Sequence, residues 1–217
     1  YHIEKYDSAL FTYSIAYIFI NGYHPLKERT NSGTQRKLSK SAQDYELDLK
    51  IAKVLYYLGE FTQSKNLLEK INESILQDKW IRGTYFYYMG LVNSKLYDYE
   101  TSLLNYLKSL NIIKENIKDS INAIGLITCD IGNVYYNKGN YKEALEYYQI
   151  SKELLLNQDK INRSKLSIIT NNIGSIYFRM GDNNTAIKYY KDAIKMQQHC
   201  DIDYSDLSMY YNNIAGI

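Results

Sequence analysis

The chain has 217 residues, 45% of them hydrophobic and 23% charged, with a formal net charge of +2. That length suffices for one large or two small domains with a substantial core. The near balance of charge gives no electrostatic basis for nucleic acid or an anionic membrane as the main partner.

One proline among 217 residues suits an all-helical chain, because proline breaks helix interiors. The two cysteines, Cys129 and Cys200, have no spacing for zinc or a disulfide framework and read as reduced thiols of a cytoplasmic protein. The most apolar stretch, LFTYSIAYIFI at 10–20, is too short to cross a bilayer. The sequence begins without Met and stops at NNIAGI, in mid-motif, and so reads as a piece of a longer protein.

Taken in chain order, YDSALFTYSIA at 6–16 reads as the second helix of a truncated repeat, assigned to 1–21. GYHPLKERTNSGTQRKLSK follows, with one Pro, two Gly and five Lys or Arg. It reads as an exposed basic loop over 22–41, either an inserted linker or else a docking arm for an acidic partner or a protease-sensitive hinge. LKIAKVLYYLGEFTQSKNLLEKI at 49–71 is the first complete helix pair, with Ala52, Gly59, Phe61 and Ser64 in recurring slots. YYMGLVNSKLYDYETSLLNYLKS at 87–109 is the second, with Gly90 and Ser102 in those slots.

CDIGNVYYNKGNYKEALEYY at 129–148 and NNIGSIYFRMGDNNTAIKYY at 171–190 carry the pattern most clearly. Gly132 to Gly174, Gly139 to Gly181 and Ala144 to Ala186 are each 42 positions apart. YNNIAGI at 211–217 opens a partial fifth unit, with Ala215 in the place of Gly174. The expected units are about 42–77, 78–118, 119–160, 161–203 and a partial 204–217, a fixed period of the kind that marks stacked repeats.

Each unit reads as two helices. Ile127, Ile131, Val134 and Tyr135 form the apolar stripe of a first helix, and Tyr141, Ala144, Leu145 and Tyr148 that of a second. Gly139-Asn140 and Gly181-Asp182 lie between them, where glycine ends one helix in the left-handed conformation and Asn or Asp caps the next. Turns this short make the two helices antiparallel neighbours. The interior residues Gly132, Gly174, Ala144 and Ala186 mark places where helices cross too closely for a larger side chain.

With Gly132, Tyr135, Gly139, Tyr141, Ala144 and Tyr148, and Gly174, Tyr177, Gly181, Ala186, Tyr190 and Ala193, the sequence resembles the tetratricopeptide repeat family. The 42-residue spacing is similar to the longer variety found in kinesin light chains and in some bacterial regulators. The resemblance implies an all-α, right-handed α-solenoid of antiparallel helix hairpins, about four full repeats with a half repeat at each end. It also implies a concave groove lined by the first helix of each pair, suited to an extended peptide or a partner helix.

Carried over from the family, the groove-facing slots lie three and two before, and one, four and five after, the small residue of the first helix. They hold Leu49, Lys50, Lys53, Tyr56 and Tyr57 in the first unit, and Tyr87, Tyr88, Leu91, Ser94 and Lys95 in the second. In the third they hold Cys129, Asp130, Asn133, Tyr136 and Asn137, and in the fourth Asn171, Asn172, Ser175, Phe178 and Arg179. The partial fifth unit shows Asn212 and Asn213. An Asn amide both donates and accepts, so Asn133, Asn172 and Asn213 would form a ladder along the backbone of an extended ligand. Tyr136, Phe178 and Tyr87 would supply apolar pockets, and Arg179, Lys95 and Lys53 an attraction for acidic side chains. The competing reading is that these asparagines cap or solvate a helix face. The family's clamp for an acidic chaperone tail is not supplied, because Leu49, Leu91, Cys129 and Ile168 occupy its slots.

Catalysis finds little support. His2, His24 and His199 have no Asp or Cys at a site-building spacing, and His199-Cys200 read as the end of a helix facing its dipole. GTYFYYMG at 83–90 lacks the Lys and Ser/Thr of a phosphate-cradling loop. The sequence therefore points to a non-enzymatic interaction module without cofactor or metal. Its partner would be a protein or peptide, with a homo-oligomer as a further possibility and no direct contact to nucleic acid or membrane. The rival reading is a ligand- or peptide-sensing regulatory domain of a bacterial transcription regulator or sensor kinase whose effector lies outside the fragment.

Overall fold

The computed structural model describes residues 42–116, 120–157, 162–198 and 204–217. The expected N-terminal half-repeat, the basic loop at 22–41 and the His199-Cys200 pair lie outside these residues. Among the described residues there are nine α-helices and no strand: α1 (Ala42–Tyr57), α2 (Phe61–Leu68), α3 (Lys79–Lys95), α4 (Tyr99–Asn116), α5 (Ile121–Asn137), α6 (Tyr141–Leu156), α7 (Arg163–Arg179), α8 (Asn183–Gln197) and α9 (Tyr204–Ala215). They pack as hairpins α1–α2, α3–α4, α5–α6 and α7–α8, followed by α9, and each hairpin rests on the next through its second helix. First helices also touch, α1 with α3, α3 with α5 and α7 with α9. The architecture is an all-α solenoid.

One contact repeats along it. A Cβ added at Gly90 would lie 2.5 Å from the Tyr106 ring, one at Gly132 2.8 Å from Tyr148, and one at Gly174 2.9 Å from Tyr190. Each tyrosine comes from the second helix of the hairpin, and all three are almost fully buried. The glycine makes a socket, the ring fills it, and burying a side chain of that size contributes about 1.5–3 kcal/mol. In the first hairpin Ala52 and Leu68 take the two roles, both fully buried.

Small polar residues lock the same crossings. Ser64 Oγ donates to the Ala52 carbonyl and Ser102 Oγ to the Gly90 carbonyl, each at 2.8 Å. Ser109 Oγ bonds the Gly83 carbonyl at 2.8 Å, and Ser151 Oγ that of Gly125 at 2.6 Å. Ala144 and Ala186 fill the slot of Ser64 and Ser102 without the hydroxyl, both with no exposed surface.

The turns within hairpins share one geometry. Gly59, Gly139 and Gly181 have φ of 82°, 81° and 84°. In each turn the next residue's N–H reaches back five positions, as in Asn140 to Tyr135 and Asp182 to Tyr177, both 2.9 Å. That is the Schellman closure of a helix. In the second hairpin the slot holds Tyr97, which takes the same left-handed conformation at φ 63°. Asp98 N–H reaches Asn93 at 2.9 Å, completing the same closure.

Helix starts follow the expected capping chemistry in part. Asp182 accepts from the Thr185 N–H at 3.0 Å, Asp78 from Ile81 at 2.9 Å and Asn162 from Lys165 at 3.1 Å. Asn140 stands at the expected N-cap of α6 but makes no side-chain cap bond. Its φ/ψ of −84°/70° nearly matches the −87°/76° of Asp182, so the difference between the two caps lies in the side chain and not in the backbone. Among the described residues no helix is long and apolar enough to cross a membrane.

Candidate functional site

Every first helix of the array contributes to one cavity of about 690 Å³. Tyr56 comes from α1, Lys95 from α3, Asp130, Asn133, Tyr136 and Asn137 from α5, Asn172 and Ser175 from α7, and Met209 from α9. Second helices reach it through Tyr99, Tyr106 and Tyr148, and the α3–α4 turn through Tyr97. A second cavity of about 390 Å³ lies between α1, α3 and α5, walled by Leu49, Trp80, Ile81, Tyr87, Tyr88 and Ile127, with Glu46, Lys50 and Lys53 among its polar lining.

A chain of hydrogen bonds runs through Asp130, Asn133, Tyr148 and Asn172 on the wall of the larger cavity. Tyr87 OH donates to Asp130 Oδ2 at 2.8 Å, and Asn133 Nδ2 to Asp130 Oδ1 at 3.1 Å. Asn133 Oδ1 accepts from Tyr148 OH at 2.6 Å and from Asn172 Nδ2 at 3.1 Å. Asn171 Nδ2 donates to Asn172 Oδ1 at 3.4 Å, and Asn213 Nδ2 to Asn171 Oδ1 at 2.8 Å. The chain thus runs from α3 through α5 and α7 to α9.

Burial raises the Asp130 carboxyl from its ordinary 3.8 to about 6, against the opposing pull of bonds from Tyr87 and Asn133 and the charge of Lys95. Burial, then the Asp130 charge, pushes the Tyr87 phenol well above its ordinary value. Burial likewise raises the Cys129 thiol, with Asp130 adding to it. In the smaller cavity, burial and then the neighbouring Lys50 lower the Lys53 ammonium, which sits 5.2 Å from the Tyr88 ring centre.

Of the residues assigned to the groove from the sequence, Asn133, Asn172, Tyr136, Asn137 and Lys95 line the larger cavity, while Tyr87 and Lys53 line the smaller. Arg179 is exposed, and its Nε bonds Tyr136 OH at 3.2 Å. Phe178 and Asn212 are exposed but line neither cavity. Asn171 is only 3% exposed, and with Asn213 it forms the far end of the polar chain. Of the three asparagines expected to form a ladder, Asn133 and Asn172 thus bond each other, while Asn213 bonds Asn171.

Asp130, which joins Tyr87 to Asn133 in the chain, occupied a groove slot in the sequence but was given no role there. Its signal was being the only carboxylate in any of those slots. Tyr97 was overlooked, although it stands where the other three hairpins carry glycine. Among the described residues no group of three or more His, Cys, Asp or Glu is arranged to hold a metal ion.

Residues 123–199 match the tetratricopeptide repeat family model. No curated protein sequence matches the chain. Among solved structures, the apo form of RapI superposes with a TM-score of 0.65 at 17% identity, over 98% of this chain and 84% of that one. A putative kinesin light chain from Podospora anserina, with nearly identical repeats, gives 0.63 at 10% identity over 82% and 87%. A signal-transduction ATPase with a tetratricopeptide repeat sensor from Pyrococcus horikoshii gives 0.64 at 18% identity, over 82% of this chain but only 26% of that longer protein.

Proposed function

The chain is a tetratricopeptide-repeat solenoid, a fold of protein-interaction and sensor modules, and on that premise we propose that it binds an extended peptide segment of a partner along its first helices. The observation that carries this reading is the cavity of about 690 Å³ to which all five first helices contribute. A peptide backbone alternates donors and acceptors, and the wall offers amides of both kinds at Asn133, Asn137 and Asn172. Asn137 is exposed with its side chain open to a ligand. Asn133 and Asn172 each keep an amide hydrogen beyond those used in the polar chain. Tyr56 and Tyr136 supply apolar surface between these groups.

A sensor role is the second reading, and the polar chain itself favours it. A ligand that draws Asn133 or Asn172 into new bonds breaks a tie between α5 and α7. The angle between consecutive hairpins then responds to occupancy, as a two-state element biased by differential binding requires. The structural likeness to a repeat sensor of an ATPase is consistent with this.

Panning a random-peptide display library against the chain tests the primary reading. The expected result is an enriched motif whose affinity falls about tenfold in Asn172→Ala, matching one lost hydrogen-bonded contact. An enriched motif bound equally well by Asn133→Ala and Asn172→Ala chains would remove the amides from the contact. No motif, together with self-association in analytical ultracentrifugation, would replace the reading with a homo-oligomeric structural role.

A further inference from the structure

We propose that the larger cavity is a cation subsite, which takes a lysine or arginine side chain of the bound peptide against the Asp130 carboxylate with Tyr97 as an aromatic wall. The inference rests on the groove reading for the peptide, and on two independent observations for the charge.

The first is the state of Asp130. Its two partners, Tyr87 OH and Asn133 Nδ2, are both neutral donors. Among the ion pairs of the described residues, none involves Asp130. A carboxylate offers about four acceptor sites, and only two are filled. Lys95 lines the same cavity but is exposed and lies outside ion-pair distance of Asp130, so the carboxylate has no direct counter-ion. A charge held this way is disfavoured until a cation reaches it, and the cavity is the open route. An acidic ligand group placed there would meet Asp130 with like charge.

The second is Tyr97. Three hairpins put glycine at the left-handed turn, and this one puts a tyrosine there at φ 63°. The conformation is unfavourable for a residue with a Cβ, so the side chain is kept at a cost to stability. The ring gains little from the fold, being 79% exposed, with only an edge contact to Tyr99 at 6.2 Å between centres. It does line the cavity, as do Tyr56 and Tyr136. Aromatic faces and a carboxylate lining one cavity suit an ammonium or guanidinium group, which the ring quadrupole and the charge both attract.

The test uses the chain with two small probes, N-acetyl-arginine methylamide and its uncharged counterpart N-acetyl-citrulline methylamide, titrated by NMR. The arginine compound is expected to bind at least about tenfold tighter, in line with a charge-assisted contact. Asp130→Asn is expected to abolish that preference, and Tyr97→Gly to raise the melting temperature while weakening the arginine compound. Equal affinity of the two probes for the unmodified chain would overturn the subsite without recourse to any variant. So would an arginine preference that survives in a folded Asp130→Asn chain. Tyr97→Gly that stabilises the fold and leaves affinity unchanged would remove Tyr97 from the wall. The peptide library separates the two proposals. A motif without basic residues keeps the groove and overturns the subsite, whereas no motif with a retained arginine preference does the reverse.

Discussion

Asn172 Nδ2 donates to Asn133 Oδ1 at 3.1 Å, joining α5 to α7 across two hairpins. The same Asn133 oxygen accepts from Tyr148 OH at 2.6 Å, so one amide ties two tertiary contacts together. Asn133→Ala leaves the Tyr148 hydroxyl and an Asp130 oxygen without their partner, and is expected to cost about 1–3 kcal/mol. Asn172→Ala removes a more peripheral bond and is expected to cost about 1 kcal/mol. Urea unfolding of both variants checks the order. Equal losses would mean that Asn133 is not the hub.

Two glycines of the second and third hairpins are held for different reasons, and substitution separates them. At Gly90 a Cβ would sit 2.5 Å from the Tyr106 ring, whereas at Gly139 it meets nothing within 4 Å but φ is 81°. Gly90→Ala gains helix propensity yet overpacks, for an expected net loss of about 1–2 kcal/mol. Gly139→Ala loses about 1–2 kcal/mol through backbone conformation alone. Adding Tyr106→Leu is expected to rescue the first and leave the second unchanged, which a double-mutant cycle measures.

The Asp130 carboxyl binds its proton more tightly in the folded chain, at about 6, than at its ordinary 3.8. Its contribution to stability is therefore fully present below about pH 3.8 and is lost as the pH rises through about 6. The full difference amounts to about 3 kcal/mol at most, a ceiling because Asp130 keeps some accessible surface. The charges and titratable groups around it are Lys95, Tyr56, Tyr87, Tyr106, Cys129 and Tyr148. Stability curves of the chain and of Asp130→Asn are expected to converge near pH 4 and separate by pH 7.5, the variant being the more stable. Parallel curves would place the carboxyl in a more solvated setting.

Cys129 is buried on α5, where burial and the adjacent Asp130 disfavour its thiolate. Since the thiolate is the nucleophile, alkylation of Cys129 is expected only through unfolding. Peptide-resolved mass spectrometry after iodoacetamide treatment distinguishes it from Cys200. The rate for Cys129 is expected to rise with denaturant in step with global unfolding, and rapid native labelling would place the thiol at the surface.

Much of the fold was legible because close helix crossings leave a spacing that composition drift does not erase. Gly132 and Gly174 gave the register, and the tyrosines that fill their sockets lie at a constant distance along the chain. That Asn133, Tyr136 and Asn172 share one face, where they line the larger cavity, was readable for the same reason. Asn171 was placed on the groove, and its burial follows from helix geometry: three residues before Gly174, it shares the glycine's packed face. Cys129 occupies the equivalent position before Gly132 and is buried as well. The bonds from amide to amide were not legible, because they depend on how far one first helix lies from the next, which no local pattern encodes. Nor was the missing cap at Asn140, where residue type favours a bond that Asp182 makes at nearly the same backbone angles.

Trp80, the sole tryptophan of the sequence, is half exposed on the wall of the smaller cavity and absent from the larger one. The molecule thereby carries its own optical reporter. Apolar ligand groups entering between α1 and α3 strip water from the indole and move its emission to shorter wavelength, while occupants confined to the asparagine-lined space leave that colour unchanged. A fluorimeter alone, without labels or engineered dyes, thus tells which of the two hollows a candidate partner has filled.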